Sequence, residues 1–518
     1  MKFFSNIIRW INEKKNNKDN IDGSSWNKWW MPVVGFLALV WFIIRVIPKP
    51  SRYRYPCQQA AAPIAMGFLV WLSTTLGLTI SIKGVINFVK KSRYWAAAGI
   101  IIITLVGIGF YINLNANTPV TARQKGPLGQ GKGINPGRVV WNYNSQATSW
   151  DGESNFWWDD QNTDQKVVKN MWDQSLKRLT AKNTTEKAWE SLFKHFNEKK
   201  NKNHQNYQEN ERIAIKLNLN TNKSHNDKDN EVDLSPQMVF VIVDSLIQEA
   251  EVVPENIYLY DASRPLANKF YNKVSKKYPE VNFVDNNGQN GRKKVEVDKS
   301  APIYYTGIDR KQPDYLPKCV VEADYLINLA SLKKHSLAGM TVTAKNHFGS
   351  IYNDQYGSWT PSHLHQGIDA RSRKMGRPNP LVSLMGHKDL GGKTLLYIVD
   401  GLYGGMNQQS VSPHRWSMEP FNGDWSSSIF ISQDPVAIDS VAFDFLRTET
   451  DLLNYTENYL HEAANPENSS SEKIYDPEKD GNFLESLGVH EHWNNPLEKL
   501  YSGNLNSEKE GIELIKIK

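Results

Sequence analysis

One stretch constrains the fold more than any other: ADYLINLASLKKHSLAGMTVTAKNHFGS, residues 323–350. It opens with Tyr325, Leu326, Ile327 and Leu329, a short apolar run that reads as a buried strand. The run passes directly into Lys333, Lys334, His335, Gly339, Thr341, Thr343, Lys345, Asn346, His347 and Gly349. Open α/β sheets present ligand sites at strand ends that run into glycines and donors in this way. His335 is a candidate acid, base or metal ligand. Lys345 can hold an anion, or attack a carbonyl if its pKa is depressed. By spacing alone, a solvated basic loop after a core strand explains these residues equally well.

The surrounding pattern extends the same architecture. Strands are expected at 139–143, 213–219, 256–260, 281–284, 325–329, 394–399 and 428–431. Helices are expected over 166–196, from a Ser235 cap with Pro236 in the first position to about 251, over 265–277, and over 435–447 with Asp439. Such alternation predicts an α/β domain with a largely parallel sheet and helices on both faces. Lys216 with Asn218, Asp261 to Arg264, Lys333 with His335, Asp400 and Asp434 would then close strands along one edge and converge on one crevice. The segment 350–385 is too long for a bare connection, and it carries His363, His365, Asp369 and Arg371.

Charge divides the chain unevenly. Up to Arg138 there are 18 Lys and Arg against 3 Asp and Glu, whereas the remainder has 43 against 52. The large domain is therefore mildly acidic, which argues against nucleic acid as its partner. The basic quarter holds three apolar runs, 29–47, 60–82 and 94–112, each close to the length of a spanning helix. They predict three transmembrane helices after a polar cytoplasmic tail, 1–28. Lysine and arginine counts favour an inside amino terminus, so the large domain is expected outside the cytoplasm. A linker, 113–138, an α/β domain, 139–450, and a polar C-terminal extension, 451–518, complete the expected order. Asn465 to Ser471 read as disordered, and His490 and His492 as surface residues. Cys57 and Cys319 fall in different expected domains, which argues against a disulfide, and two cysteines are too few for an iron–sulfur cluster.

Four phrases in one order resemble the signature of domain-of-unknown-function family 362. They are IKLNLN with Lys216, Asn218 and Asn220; the central run with Lys333, His335, Gly339, Thr341, Lys345, Asn346 and Gly349; VDGLYGG, 399–405; and SQDPVAIDSVAFD, 432–444. The resemblance covers about 139–446 and implies a membrane-attached member. Some relatives carry ferredoxin-like cluster motifs that this chain lacks. More remotely, His335 and the lysine ten residues beyond it are similar to the histidine and cofactor-bearing lysine of the nickel-pincer lactate racemase family. Where that family has a second catalytic histidine this chain has Ser263, followed by matching Arg264 and Pro265, which puts two-base racemisation in doubt.

The expected site therefore has His335 and Lys345 as catalytic groups. Lys216, Asn218, Ser263, Arg264, Lys333, Thr341, Asn346, Asp400 and Asp434 are expected to bind a small anionic ligand. His363 and His365 are candidate metal ligands. A metal or metallocofactor is one expectation for this histidine-rich stretch, and coincidental clustering beside an anion site is the other. An enzyme using acid/base chemistry and a non-catalytic ligand- or metal-binding envelope protein both fit the pattern.

Overall fold

The apolar alternation that marks the strands sorts their side chains onto two sheet faces, and each face is covered by helices. In the computed structural model, residues 126–518 are described, apart from 309, 311 and 509, together with residue 40. Residues 126–518 lie in one unit, Arg123–Lys518. Its main sheet has ten strands, nine of them in the order β14 (Glu513–Ile517), β2 (Arg138–Tyr143), β12 (Ser428–Ser432), β11 (Thr394–Gly405), β9 (Tyr325–His335), β3 (Ile213–Leu217), β4 (Ile257–Tyr260), β5 (Asn282–Asp285) and β6 (Lys293–Lys294). The strands that position the site are β3 (Ile213–Leu217), β4 (Ile257–Tyr260), β9 (Tyr325–His335) and β11 (Thr394–Gly405). All four are parallel, in the order β11-β9-β3-β4. β10 (Gly339–Thr341) folds back antiparallel on the end of β9. Beyond β4 lie the parallel strands β5 (Asn282–Asp285) and β6 (Lys293–Lys294). The sheet is thus mostly parallel, as the sequence pattern implied.

On one face, Ile213, Ile215, Leu217, Tyr325, Ile327, Leu329 and Ile398 pack with α1 (Gln165–Thr180), α2 (Thr185–Lys199), α3 (Pro236–Gln248) and α4 (Asn268–Ser275). On the other, Ala214, Tyr260, Leu326, Leu332, Tyr397 and Val399 face α5 (Lys318–Val321), α6 (Thr343–Asn346), α7 (Pro380–Gly386), α8 (Pro435–Glu449) and α9 (Asn458–Ala464). The caps follow the sequence signals. The Ser235 hydroxyl accepts the Met238 N–H at 3.3 Å ahead of Pro236. The Asp434 carboxylate accepts from Val436 and Ala437 N–H ahead of Pro435. A side-chain cap of this kind contributes about 1 kcal/mol.

Three expectations are corrected. β12 (Ser428–Ser432) runs antiparallel to β11 and to β2 (Arg138–Tyr143), so its carboxyl end lies on the opposite edge. Residues 451–518 are not an appendage. They supply β14 (Glu513–Ile517), parallel to β2 at the sheet edge, and β13 (Val489–His490), paired with β1 (Leu128–Gly129). Within them, Ser469 and Ser471, in the segment that read as disordered, are held by Lys473 O and the Glu462 carboxylate. Finally, the three apolar runs, 29–47, 60–82 and 94–112, lie outside the described residues, save residue 40. Among the described residues no helix is long and apolar enough to cross a membrane. The expected localisation, a multi-pass membrane protein with an extracytoplasmic domain, is corrected on that finding.

Candidate functional site

Lys216 and Asn328 are register partners on β3 and β9, and both point to the α6 face by strand parity. A buried lysine there needs a partner, and the neighbouring strand provides it. Asp261, the first residue after β4, meets Lys216 Nζ at 2.9 Å, with both side chains almost fully buried. Asn346, at the end of α6, ties the strand ends together. Its amide donates to Leu329 O and Asn328 Oδ1, each at 2.9 Å, and its Oδ1 accepts from Lys216 Nζ at 3.2 Å and Asn218 Nδ2 at 3.3 Å. Gly349 lets the following turn close over the pair. A Cβ there would stand 2.6 Å from Lys216 Nζ and 2.9 Å from Asp261 Oδ1. Glycine is required by this close approach.

Helix α6 carries Lys345 and is too short to hold itself in place. Asp439 of α8 does so from outside: one carboxylate oxygen accepts from Thr343 N at 3.0 Å and Thr343 Oγ1 at 2.6 Å, the other from Ala344 N at 3.1 Å and the Tyr459 hydroxyl at 2.8 Å. Burial pushes the Asp439 carboxyl up to about 6, against the pull of these donors. Lys345 is thus aimed by a carboxylate it does not touch. Its ammonium sits 3.6 Å from the centre of the Phe348 ring.

These elements enclose a cavity of about 120 Å³. Of the expected residues, Lys216, Asn218, Ser263, Arg264, His335, Thr341, Lys345, Asn346 and His365 line it. Among the described residues, no carboxylate comes within ion-pair distance of Lys345 or Arg264, while Asp261 is already engaged by Lys216. Burial, then the Lys216 ammonium and the Arg264 guanidinium, pull the Lys345 pKa down to about 7, with Asp261 opposing. Burial and the Lys345 charge push the His335 imidazole down to about 2, so it stays neutral through the physiological range.

Geometry also fixes which nitrogen of His335 carries the proton. Its Nδ1 faces two backbone donors, Leu337 N at 3.0 Å and Ala338 N at 3.1 Å. Nδ1 is therefore the acceptor, and the neutral ring bears its hydrogen on Nε2. His335 so held is a hydrogen-bond donor and not a base. His365 is the converse: its Nδ1 donates to Ser362 O at 3.1 Å, leaving the lone pair on Nε2. The set can accept an anion's charge at Lys345 and Arg264 and donate to its oxygen from His335.

Four expected residues lie elsewhere, each for a physical reason. Lys333 has the parity of Ile327 and Leu329 and points to the α3 face, where it bonds Val232 O and meets Asp233 Oδ1 at 3.4 Å. Asp400 has the parity of Ile398 and accepts from Ser235 N at 2.7 Å and Ser235 Oγ at 2.8 Å ahead of α3. Asp434 follows the antiparallel strand. Ser432 stands opposite Tyr397, at the level of Lys216, and the chain then runs back towards the other edge. There Asp434 caps α8 and also accepts from Lys132 N and Val489 N. His363 has both ring nitrogens engaged, Nδ1 by Asn353 Nδ2 at 2.6 Å and Nε2 by Asp314 at 2.7 Å, so it forms no metal pair with His365.

Residues 213–444 match the family model of a domain of unknown function, DUF362. The match supports the family-362 resemblance across β3 to α8 and so takes in every strand that lines the cavity. β2, α1 and α2 precede it, and β13 and β14 follow it. Neither membrane attachment nor the nickel-pincer likeness finds support in the comparisons. A search of curated proteins found no match. Within the DUF362 segment, Asp261 and Asp439 are the residues that sequence reasoning undervalued. Asp261 was visible as an acid closing a strand next to the Lys216 strand; Asp439 gave no signal of its own, since its role depends on α8 packing against α6.

Proposed function

We propose that the DUF362 segment binds a small anionic organic ligand in the Lys345 cavity, and that the Lys345 amine exchanges a proton with it. The supporting observation is the pair of cations, Lys345 and Arg264, that no described carboxylate neutralises in a cavity of about 120 Å³. Bringing such charges together is unfavourable unless a counter-charge arrives. A carboxylate or phosphate group supplies it, held by Arg264 in a forked contact and by the His335 Nε2–H. An amine with a pKa of about 7 is present in both protonation states near neutrality. That property suits an acid/base group, which simple capture of an anion would not need.

Titration calorimetry of the full chain with inorganic phosphate, acetate and malonate tests the reading. At least one should bind in a single site, and Lys345→Gln should abolish that binding. Lys345→Arg separates catalysis from capture, because it keeps the charge and removes the neutral amine. Retained affinity with lost turnover identifies an enzyme. If Lys345→Gln binds all three anions as the natural chain does, the cavity is not the anion site.

A further inference from the structure

The C-terminal segment gathers histidines of its own, well apart in sequence from the cavity lining. Glu457 immediately precedes α9, which carries His461 one turn later; His490 ends β13. Residues at i and i+4 share a helix face. One carboxylate oxygen and two imidazole nitrogens from Glu457, His461 and His490 lie within 4.8 Å of one another. The His461 and His490 rings are 4.6 Å apart, centre to centre. His490, expected on the surface, is 3 % exposed.

We propose that Glu457, His461 and His490 bind one divalent transition-metal ion of the zinc class. The protonation pattern prepares the site. Ser440 Oγ of α8 donates its hydrogen to Val436 O at 2.6 Å, so at its 2.9 Å contact with His490 Nδ1 it must accept. His490 therefore carries its hydrogen on Nδ1 and its lone pair on Nε2. A metal-binding histidine is typically fixed this way, by a partner on the nitrogen that does not face the ion. Glu457 is oriented too. His492 bridges the Asp444 carboxylate, at 2.9 Å from Nδ1, and Glu457 Oε2, at 3.1 Å from Nε2. That contact holds the Glu457 carboxylate in place beside the two imidazoles.

The donor set selects the metal. Two imidazoles and one carboxylate suit zinc, nickel or copper, whereas calcium and magnesium require oxygen ligands. Three protein ligands leave a fourth tetrahedral position for water. Metal–ligand bonds of about 2.0–2.2 Å put tetrahedral ligand atoms about 3.4 Å apart, which the 4.8 Å bound on the three atoms accommodates. The ion would then fasten α9 to β13, and through β13 to β1.

The test is calorimetric titration of the EDTA-stripped full chain with zinc chloride, with magnesium chloride in excess throughout. One equivalent should bind. His490→Gln and His461→Gln should each weaken it about 100-fold or more, and Ser440→Ala about tenfold, the range over which supporting partners act. His461 lies on a partly exposed helix face, so His461→Gln reads the site even if His490→Gln fails to fold. Cobalt(II) in place of zinc should give visible tetrahedral bands that His461→Gln removes. A Glu478→Gln change in the separate acidic group Asp476, Glu478, Asp480 should leave zinc affinity unaltered. The proposal is overturned if the natural chain takes up no zinc, if affinity survives both histidine changes, or if only Glu478→Gln removes it.

Discussion

Lys333 and Lys345 come from one short stretch of sequence, yet they belong to opposite sides of the sheet and to opposite kinds of chemistry. On the α3 side the two expected site charges, Lys333 and Asp400, are both answered. Lys333 bonds Val232 O and Asp233, Asp233 also holds Thr221, and Asp400 is closed by Ser235. On the α6 side Lys216 is answered by Asp261, while Lys345 and Arg264 line the same cavity and, among the described residues, no carboxylate comes within ion-pair distance of either. Residue type is shared; saturation is not. A saturated buried cation is part of the scaffold, and an unsaturated one is available to something that is not part of the chain.

That contrast can be broken by experiment. The largest effect belongs to the saturated side. Asp233→Ala leaves Lys333 buried without its carboxylate and should cost about 3–5 kcal/mol in urea unfolding, with little change in anion affinity per folded molecule. Loss of anion binding in a folded Asp233→Ala protein would show that the two sides are one site. Next comes Arg264→Gln on the unsaturated side. It should lower anion affinity about 10–100-fold, the value of one charge-assisted contact, while the urea midpoint stays close to that of the natural chain. A large stability loss instead would make Arg264 a scaffold residue.

The pH dependence sharpens the same contrast. Lys345 titrates near 7 in the folded chain and near its ordinary 10.5 when unfolded. Between those values the unfolded chain binds more protons, so this residue makes stability rise with pH across that window. Below about pH 7 its penalty is fully present. Lys345→Met should therefore stabilise the chain most at low pH and flatten the slope from 7 to 10.5, as read by unfolding curves at a series of pH values. The smallest effect is Ser235→Ala, which removes the α3 cap and one Asp400 contact. It should cost about 1 kcal/mol and leave anion affinity unchanged.

Much of this arrangement can be read from residue order. Parallel strands follow from the β–α alternation, and the caps at Ser235 and Asp434 follow from the prolines after them. The company of Lys216, Arg264, His335 and Lys345 could be anticipated because each closes or follows a strand of the parallel block. What could not be read is which way a side chain faces once a strand outruns its apolar pattern. β9 continues to His335, six residues past Leu329, and the parity that sends Lys333 to the α3 face is set by Tyr325, Ile327 and Leu329. Nor does composition distinguish an antiparallel strand inside a parallel block, which is why Asp434 was assigned to the wrong edge. His490 was misjudged for a simpler reason. Its segment is polar around it, and only the fold of α8, α9 and β13 closes over the ring.

The first strand of this sheet waits a long time for its neighbours. Arg138 on β2 pairs with Glu513 on β14, 375 residues later, and the other flank of β2 is filled by β12. During synthesis the apolar run from Val139 to Trp141 thus leaves the ribosome hundreds of residues before either partner exists. Until then it presents an unpaired hydrogen-bonding edge of the kind that recruits other chains. Protecting that edge from self-association is a burden this topology places on the nascent protein, and translation must pass β14 before the burden is lifted.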